Sequence, residues 1–418
     1  MASTGKFSEE KKYDLIVVGG GAAGFFTAIR VGELRPGSRI LILEKGGKVL
    51  QKVRISGGGR CNVTHACFEP KELVKNYPRG SRELLGPFHR FQPGDTIAWF
   101  ENHGVELKIE PDGRMFPVTN DSATIVECLT QAARWAGVQV RTSCNVEQLQ
   151  KEPDGTFTVT LTGGESFRSK TVMMAPGSSP RMWQLLREMG HSIVEPVPSL
   201  FTFNCRDARI AELPGVSVEK AALRIPGTGL SESGPLLITH WGLSGPAVLK
   251  LSAWGARKLH ALNYRFDLLV NWTGVYNTEE VKEELASLRN GKGSRKVLQS
   301  PRFGLPSRLW RKLCTAAGID EKKNWADLSK AQLNVLASQL SECRLPVTGK
   351  STFKEEFVTA GGVALHEVDF RRFESKRIPG LFLAGEVLDI DAITGGFNFQ
   401  AAWTGGWVAG EGVVKYLE

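Results

Sequence analysis

No stretch of this sequence is long and apolar enough to span a bilayer, which needs about 20 predominantly apolar residues. The first apolar run, 15–18, is far too short for a signal-peptide core, and residues 1–12 before it are polar and charged. The chain is therefore expected to be cytoplasmic, with no membrane partner. Cysteine is sparse: there are seven, an odd number, and none forms a C-x-x-C pair. That argues against a disulfide framework and for free thiols in a reducing compartment. The seven histidines, at 65, 89, 103, 191, 240, 260 and 366, make no H-x-x-x-H pair or Cys/His cluster, so no metal site is expected. Neither G-x-S-x-G nor a Walker A sequence is present, which removes the usual signatures of α/β-hydrolases and P-loop NTPases.

What is abundant is glycine, 46 residues, and it is clustered. Clustered glycine marks backbone that turns sharply or approaches a ligand closely. A chain of 418 residues exceeds one hydrophobic core, so at least two domains are expected. The net charge of +9 permits an anionic cofactor or nucleic acid as partner. However, the densest basic run, RNGKGSRK at 289–296, is Gly/Ser-rich and reads as a solvated loop.

Residues 13–18 form a buried-strand pattern, 21–34 a helix and 39–43 a second buried strand. A helix is expected at 121–136, then strands at 139–149 and 156–161 joined by the Asp154-Gly155 turn, a parallel strand at 171–175 and a helix at 183–189. Prolines at 196, 198, 214, 226, 235 and 246 then punctuate short strand-like runs. Helical segments follow at 279–289, 305–316 and 328–342, and the α/β style returns with a strand at 380–384 and a helix at 400–415. The expected organisation is a nucleotide domain made from 1–190 and 349–418. It is interrupted by an insert at 191–348, β-rich over 191–275 and helical over 276–348.

Three motifs carry chemistry. Gly19-Gly20-Gly21-Ala22-Ala23-Gly24 is a G-x-G-x-x-G directly after a strand. Gly19 permits the tight turn, Gly21 lets backbone approach a pyrophosphate, and Gly24 allows close helix–sheet packing. The helix N-terminus then favours phosphate. Glu44, followed by Lys45, ends the second strand twenty residues on, where a carboxylate can accept ribose hydroxyls. The second motif is Ser56, Gly57, Gly58, Gly59, Arg60, Cys61 and Asn62, whose glycine run suits a flat or anionic ligand. The third brings Gly385 and Glu386 from the end of a strand, then Gly395, Gly396, Phe397 and Asn398 opening the last helix. That helix N-terminus suits an oxygen that gains negative charge, such as flavin O2.

With VVGGGAAG at 17–24, SGGGRCNVT at 56–64, GRMFPVTNDSATIV at 113–126, THWGLSGPAVLKLS at 239–252, FVTAGGVALHEV at 357–368 and the run at 382–412, the chain resembles the BaiN/YhiN-like flavoproteins, which include aminoacetone-oxidase-like members. The resemblance implies a glutathione-reductase-type, Rossmann-like FAD domain of α/β class. It also implies an inserted β-barrel-like domain and a small helical domain. By the same resemblance Gly19, Gly21, Ala22, Ala23 and Gly24 hold the pyrophosphate, and Glu44 holds the adenosine ribose. The 56–62 segment lies near the flavin ring, and Val146 touches adenine through its backbone. Gly385 and Glu386 face the phosphate and ribityl chain, and Gly396, Phe397 and Asn398 face the pyrimidine edge. The family's Ala-Thr-Gly is replaced here by Ala175-Pro176-Gly177 before a shortened Ser178-Ser179-Pro180. Proline removes a backbone donor at that contact.

The expected activity is an FAD-dependent oxidoreductase acting on a small organic substrate. No second G-x-G-x-x-G of comparable quality exists, Gly227-Thr228-Gly229 lacking the third glycine. NAD(P)H would then be a transient reductant. The alternatives are a flavin-containing RNA-modifying protein and an oxygen-using aminoketone oxidase. No aromatic-basic RNA platform is visible in the sequence. Candidate catalytic groups are Cys61, as a tuning or attacking thiol or a packed small residue, and His240, as an acid/base group or a turn cap. Lys354, Glu355 and Glu356 could line the cavity or face solvent.

Overall fold

The computed structural model describes residues 12–291, 293–351 and 358–418. Lys354, Glu355 and Glu356 lie outside them. The chain divides into two compact units, 1–196 with 358–418, and 197–357.

The first unit is built on a nine-stranded sheet. Its parallel centre runs in the order Leu381–Leu383, Ser166–Met174, Lys12–Val18, Ile40–Leu43, Gln139–Arg141. The Lys12–Val18 and Ile40–Leu43 strands are near-continuous β-branched and leucine runs because both faces are covered. The glycine turn leads into helix Ala22–Leu34, which packs against the C-terminal helix Phe397–Leu417. That packing depends on small residues: a β-carbon at Gly406 would stand 2.7 Å from Ala23 O. From the first strand the chain proceeds to a neighbour on one side and later to Ser166–Met174 on the other. The carboxyl end of Lys12–Val18 is therefore a topological switch point, where open α/β sheets bind ligands.

The expected strand over 139–149 is two strands, Gln139–Arg141 and Val146–Lys151. A turn with Ser143 in the left-handed region separates them. Residues 60–120, read from sequence only for their motifs, hold the helices Ser81–Phe88 and Pro93–Asn102 and a small sheet of Thr64–His65, Arg114–Pro117 and Leu107–Ile109.

The second unit centres on a closed six-stranded antiparallel barrel of Thr202–Cys205, Gly242–Ser244, Leu230–Ile238, Ser217–Ile225, Phe266–Asn271 and Cys343–Ser351. Helices Thr278–Gly291, Ser307–Ala316 and Lys330–Ser341 are inserted between the last two barrel strands, around buried Trp272, Trp310 and Trp325. The unit runs 197–357 where the sequence reading drew 191–348, and the β-rich part does not end at 275. Two pairings explain the difference. Cys343–Ser351 returns after the helices to close the barrel. Ile193–Ser199 pairs with Val358–Val363, and Gly361 lies so close to this partner that a β-carbon would stand 2.5 Å from Glu195 O.

Candidate FAD site

Four parallel strands deliver their carboxyl ends to one edge of the first unit's sheet. Lys12–Val18 ends at Gly19, Ile40–Leu43 at Glu44, Ser166–Met174 at Ala175 and Leu381–Leu383 at Gly385 after Ala384. The glycines there differ in what they would meet. A β-carbon at Gly19 (φ +109°) would press into backbone, 2.7 Å from Ala175 C and 2.9 Å from Pro176 Cα. One at Gly24 would overlap the Gly19 carbonyl oxygen and stand 3.0 Å from Val17 Cγ1. Both are packing glycines. Gly21 has nothing within 4 Å of that position, so the chain leaves space beside its backbone. Gly385 (φ +79°) approaches Ala23, with a β-carbon separation of 3.4 Å.

Glu44 is already oriented. Gly20 N–H donates to its Oε2 at 2.8 Å and Gly46 N–H to its Oε1 at 2.6 Å. A carboxylate has about four acceptor positions, so two remain for hydroxyl donors. Gly20 and Gly46 were not singled out from sequence. The Gly46-Gly47 pair directly after the strand was the available signal. Lys45 is exposed. Val146 is buried at the start of its strand, two residues after Cys144, whose N–H donates to Glu44 O at 2.8 Å.

The 56–62 segment ends helix Gln51–Gly59 in an unusual way. Ser56 is extended, and Gly57, Gly58 and Gly59 are all left-handed, a run that side-chain-bearing residues rarely adopt. Gly58 and Gly59 are exposed, with nothing within 4 Å of a β-carbon. This bare backbone is tied to the last helix. With the Asn62 amide turned to satisfy its neighbours, its oxygen accepts from Gly396 N at 3.0 Å. A β-carbon at Gly396 would stand 2.6 Å from Thr64 C, and Trp403 Nε1 donates to Val63 O at 2.9 Å. Lys52, also missed from sequence, forms an ion pair with Glu386. Arg60 stacks on Phe116 at 3.9 Å and pairs with Glu110 at 2.6 Å.

Helices Ala22–Leu34 and Phe397–Leu417 begin at Gly21 and Gly396, with no side-chain cap and no acidic residue in the first turn. Their N-terminal N–H groups and dipoles therefore face no competing protein anion of their own. Open glycine backbone, uncapped helix starts and a preset carboxylate fit a dinucleotide carrying a pyrophosphate and a flat ring.

Several expected contacts change. Asn398 does not turn its side chain outward: its Oδ1 accepts from Ala392 N at 3.0 Å and its Nδ2 donates to Ala392 O at 3.1 Å. The amide thus fixes the 389–393 loop, with one N–H and one lone pair remaining on it. The Phe397 ring is buried and stacked on His65 at 4.5 Å. Cys61 is fully buried, and burial pushes its thiol up to about 12. It is protonated at neutral pH and unsuited to nucleophilic attack. Gly177 (φ +66°) lies beside Glu386, its β-carbon position 3.5 Å from Oε2. His240, the other candidate catalytic group, is exposed in the turn between Leu230–Ile238 and Gly242–Ser244. It does not cap that turn, because Gly242 N–H donates to Thr239 Oγ1 at 3.2 Å instead.

Among the described residues no group of His, Cys, Asp and Glu could hold a metal, and no helix is long and apolar enough to cross a membrane. All seven cysteines are free.

The fold and this site define a flavoenzyme of the oxidoreductase class, with a Rossmann-type FAD-binding domain. The HI0933-like protein Rossmann domain matches residues 13–412, and the chain belongs to that family. A ribosomal RNA dihydrouridine synthase of Escherichia coli (strain K12) is 30% identical, covering 97% of this chain and 98% of its own. A 3-dehydro-bile acid delta(4,6)-reductase of Clostridium scindens is 27% identical, covering 96% and 98%. Among solved structures, 3-ketosteroid-delta4-(5alpha)-dehydrogenase from Rhodococcus jostii RHA1 aligns with a TM-score of 0.51 at 14% identity, covering 99% of each chain. At that identity the likeness concerns the fold alone.

Proposed function

We propose that the protein reduces an activated carbon–carbon double bond, conjugated to a carbonyl, in a small organic substrate, with NAD(P)H as a transiently bound reductant. The observation that supports the flavin part of this reading is the convergence of the four strand ends on open glycine backbone at Gly21, beside an oriented Glu44; the double-bond part is supported by the names of two relatives. Bound FAD supplies two-electron chemistry, and the protein binds, orients and tunes it. In this reading Gly19 and Gly24 shape the turn, backbone around Gly21, Ala22 and Ala23 holds the pyrophosphate, and Glu44 takes the ribose hydroxyls. Gly58 and Gly59 offer a surface without side chains to the ring, and the N-terminus of Phe397–Leu417 faces its electron-rich oxygen. The names of the E. coli and C. scindens relatives both denote addition of hydrogen across a ring double bond.

A second reading, reduction of a uracil base in RNA, is favoured by the net charge of +9 and by the dihydrouridine synthase matching over nearly its whole length. Anaerobic mixing of the FAD-loaded protein with NADH or NADPH tests the reductant: bleaching of the flavin band is expected, and no bleaching by either refutes it. Re-oxidation by an enone supports the first substrate class, and re-oxidation by ribosomal RNA with formation of dihydrouridine supports the second. Hydrogen peroxide release with an aminoketone would favour an oxidase instead.

A further inference from the structure

The positive charge of this chain is not evenly spread. Residues 289–330 contain eleven Lys and Arg against three Asp and Glu, a surplus of eight in a chain whose net charge is +9. This stretch lies in the helical part inserted into the second unit's barrel.

The fold gathers several of these cations. The segment after helix Thr278–Gly291 runs antiparallel to 323–326: Trp325 N–H donates to Arg295 O at 3.0 Å, Val297 N–H to Lys323 O at 3.1 Å, and Lys296 faces Asn324 across the bridge. Arg295 and Lys296 are thereby laid beside Lys322 and Lys323. Helix Ser307–Ala316 is fastened to the same segment by Trp310 Nε1 donating to Val297 O at 2.8 Å, and it carries exposed Arg311. Two cations of that helix are engaged, Lys312 with the Glu212 carboxylate at 3.0 Å and Arg308 with Glu212 O. Arg295, Lys296, Arg311, Lys322 and Lys323 have no carboxylate partner within ion-pair reach among the described residues.

The ground between the cations is polar. Gly291, Ser294, Gln299 and Thr315 are exposed there, and no large apolar side chain between 289 and 330 is exposed among the described residues. A membrane-seeking surface pairs its cations with Trp, Phe or Leu that insert. A surface of unpaired cations on polar ground, with no apolar anchor, suits a repeating, hydrated anion. We infer that this basic lobe is a docking surface for the phosphodiester backbone of RNA, which it holds by charge without reading sequence. The inference rests on the RNA reading given above. It adds which part of the chain holds the strand.

The test uses the full-length, FAD-loaded protein and a fluorescein-labelled RNA hairpin with a uridine-rich loop, followed by anisotropy across a salt series. The variant carries Arg295→Gln, Lys296→Gln, Lys322→Gln and Lys323→Gln. A charge-matched control carries Lys71→Gln, Arg82→Gln, Arg134→Gln and Arg187→Gln, exposed positions of the first unit. Four lost phosphate contacts should lower the slope of log K against log salt by about 3 and the affinity at 0.1 M salt by roughly 10²-fold or more, with the control close to wild type. Equal losses in variant and control would overturn the lobe as the docking surface while leaving the RNA reading standing. No salt-sensitive RNA binding by wild type would overturn both. Tighter binding to phosphatidylserine vesicles than to RNA, lost in the same variant, would also overturn the inference. Flavin content and melting temperature are followed in parallel. If the fourfold variant does not fold, the Arg295→Gln/Lys322→Gln pair gives the same reading at half the slope change.

Discussion

Two glycines three residues apart in the first motif should fail in opposite ways when replaced by alanine. At Gly24 the added methyl enters backbone: it overlaps the Gly19 carbonyl and stands 3.0 Å from Val17 Cγ1, between a buried helix and a buried strand. Overpacking of this kind costs about 1–3 kcal/mol. In a unit of this size each kcal/mol moves the melting temperature by about 2–4 °C. At Gly21 the methyl meets nothing within 4 Å, and φ of −96° is allowed to any residue. The fold loses only the helix-start preference for glycine over alanine, about 1 kcal/mol or less. In the proposed placement, the methyl would occupy the space from which backbone N–H groups reach the pyrophosphate. Losing one or two such charge-assisted bonds at about 1.5–3 kcal/mol each weakens FAD by roughly 10- to 10³-fold or more. Gly21→Ala should therefore be purified as a nearly colourless protein with a near-native melt of its apo form. Gly24→Ala should melt several degrees lower. The assays are flavin absorbance per mole of protein, calorimetric titration of apoprotein with FAD, and thermal melts of both apoproteins. Gly21→Ala retaining stoichiometric FAD with a Kd within threefold of wild type would refute the placement of the pyrophosphate.

Arg79 and Asp391 form a two-pronged ion pair, with the Asp391 side chain fully buried. Arg79→Met leaves that carboxylate without its guanidinium and should cost about 3–5 kcal/mol in urea unfolding; a loss under 1 kcal/mol would contradict the pairing. Burial alone would raise the Glu367 carboxyl, but Arg377, Ser192 and His191 bring it down to about 2 from an ordinary 4.5. Its stabilisation is fully present above pH 4.5 and is lost as pH falls from there through about 2. Glu367→Gln should flatten the stability–pH curve in that window, and an unchanged slope would show that the cluster does not titrate as described. Six of the seven cysteines are buried, and Cys67 is half-exposed. Native protein at pH 8 should therefore give one thiol that reacts early with a chromogenic disulfide, mapped to Cys67 by peptide mass; early labelling of Cys61 would overturn its assignment as a packed thiol.

The strand–turn–helix–strand frame of the nucleotide fold was legible in sequence because its signals are local. A strand, a glycine turn, a helix and a second strand ending in Glu44 follow one another within some thirty residues, each fixed by its neighbours. The fold class followed from the return of the same style after the insert. What was not legible depends on residues far apart in the chain. The resemblance puts Asn398 at the pyrimidine edge, and no local pattern shows that its Oδ1 and Nδ2 also each bond to Ala392, six positions earlier in a loop with no periodicity. The insert boundary was missed because it depends on which strand pairs with which. Residues 193–196 carry the same proline-punctuated pattern as the barrel that follows but belong with the strand Val358–Val363. Likewise the basic segments near 295 and 322 are unremarkable separately and become one surface only through the bridge at Lys296 and Asn324.

The site's several grips depend on one another. Gly19 is held against the backbone at Ala175, Gly385 against Ala23, Asn62 against Gly396, and Lys52 against Glu386. Each contact joins one segment of the cofactor cradle to another distant in sequence, so none of the segments has its binding geometry until the others have docked. The anchors are backbone approaches and short polar contacts with little room to relax. A cofactor touching several segments would bind the assembled arrangement and not the separated ones, which stabilises it by mass action. FAD should therefore raise the melting temperature of the first unit with a dependence on ligand concentration. Asn62→Ala, which removes the tie between the 56–62 segment and Gly396, should weaken FAD binding and lower apo stability together. Gly21→Ala should separate the two, because the methyl there meets no protein atom within 4 Å and, in the proposed placement, would meet the ligand.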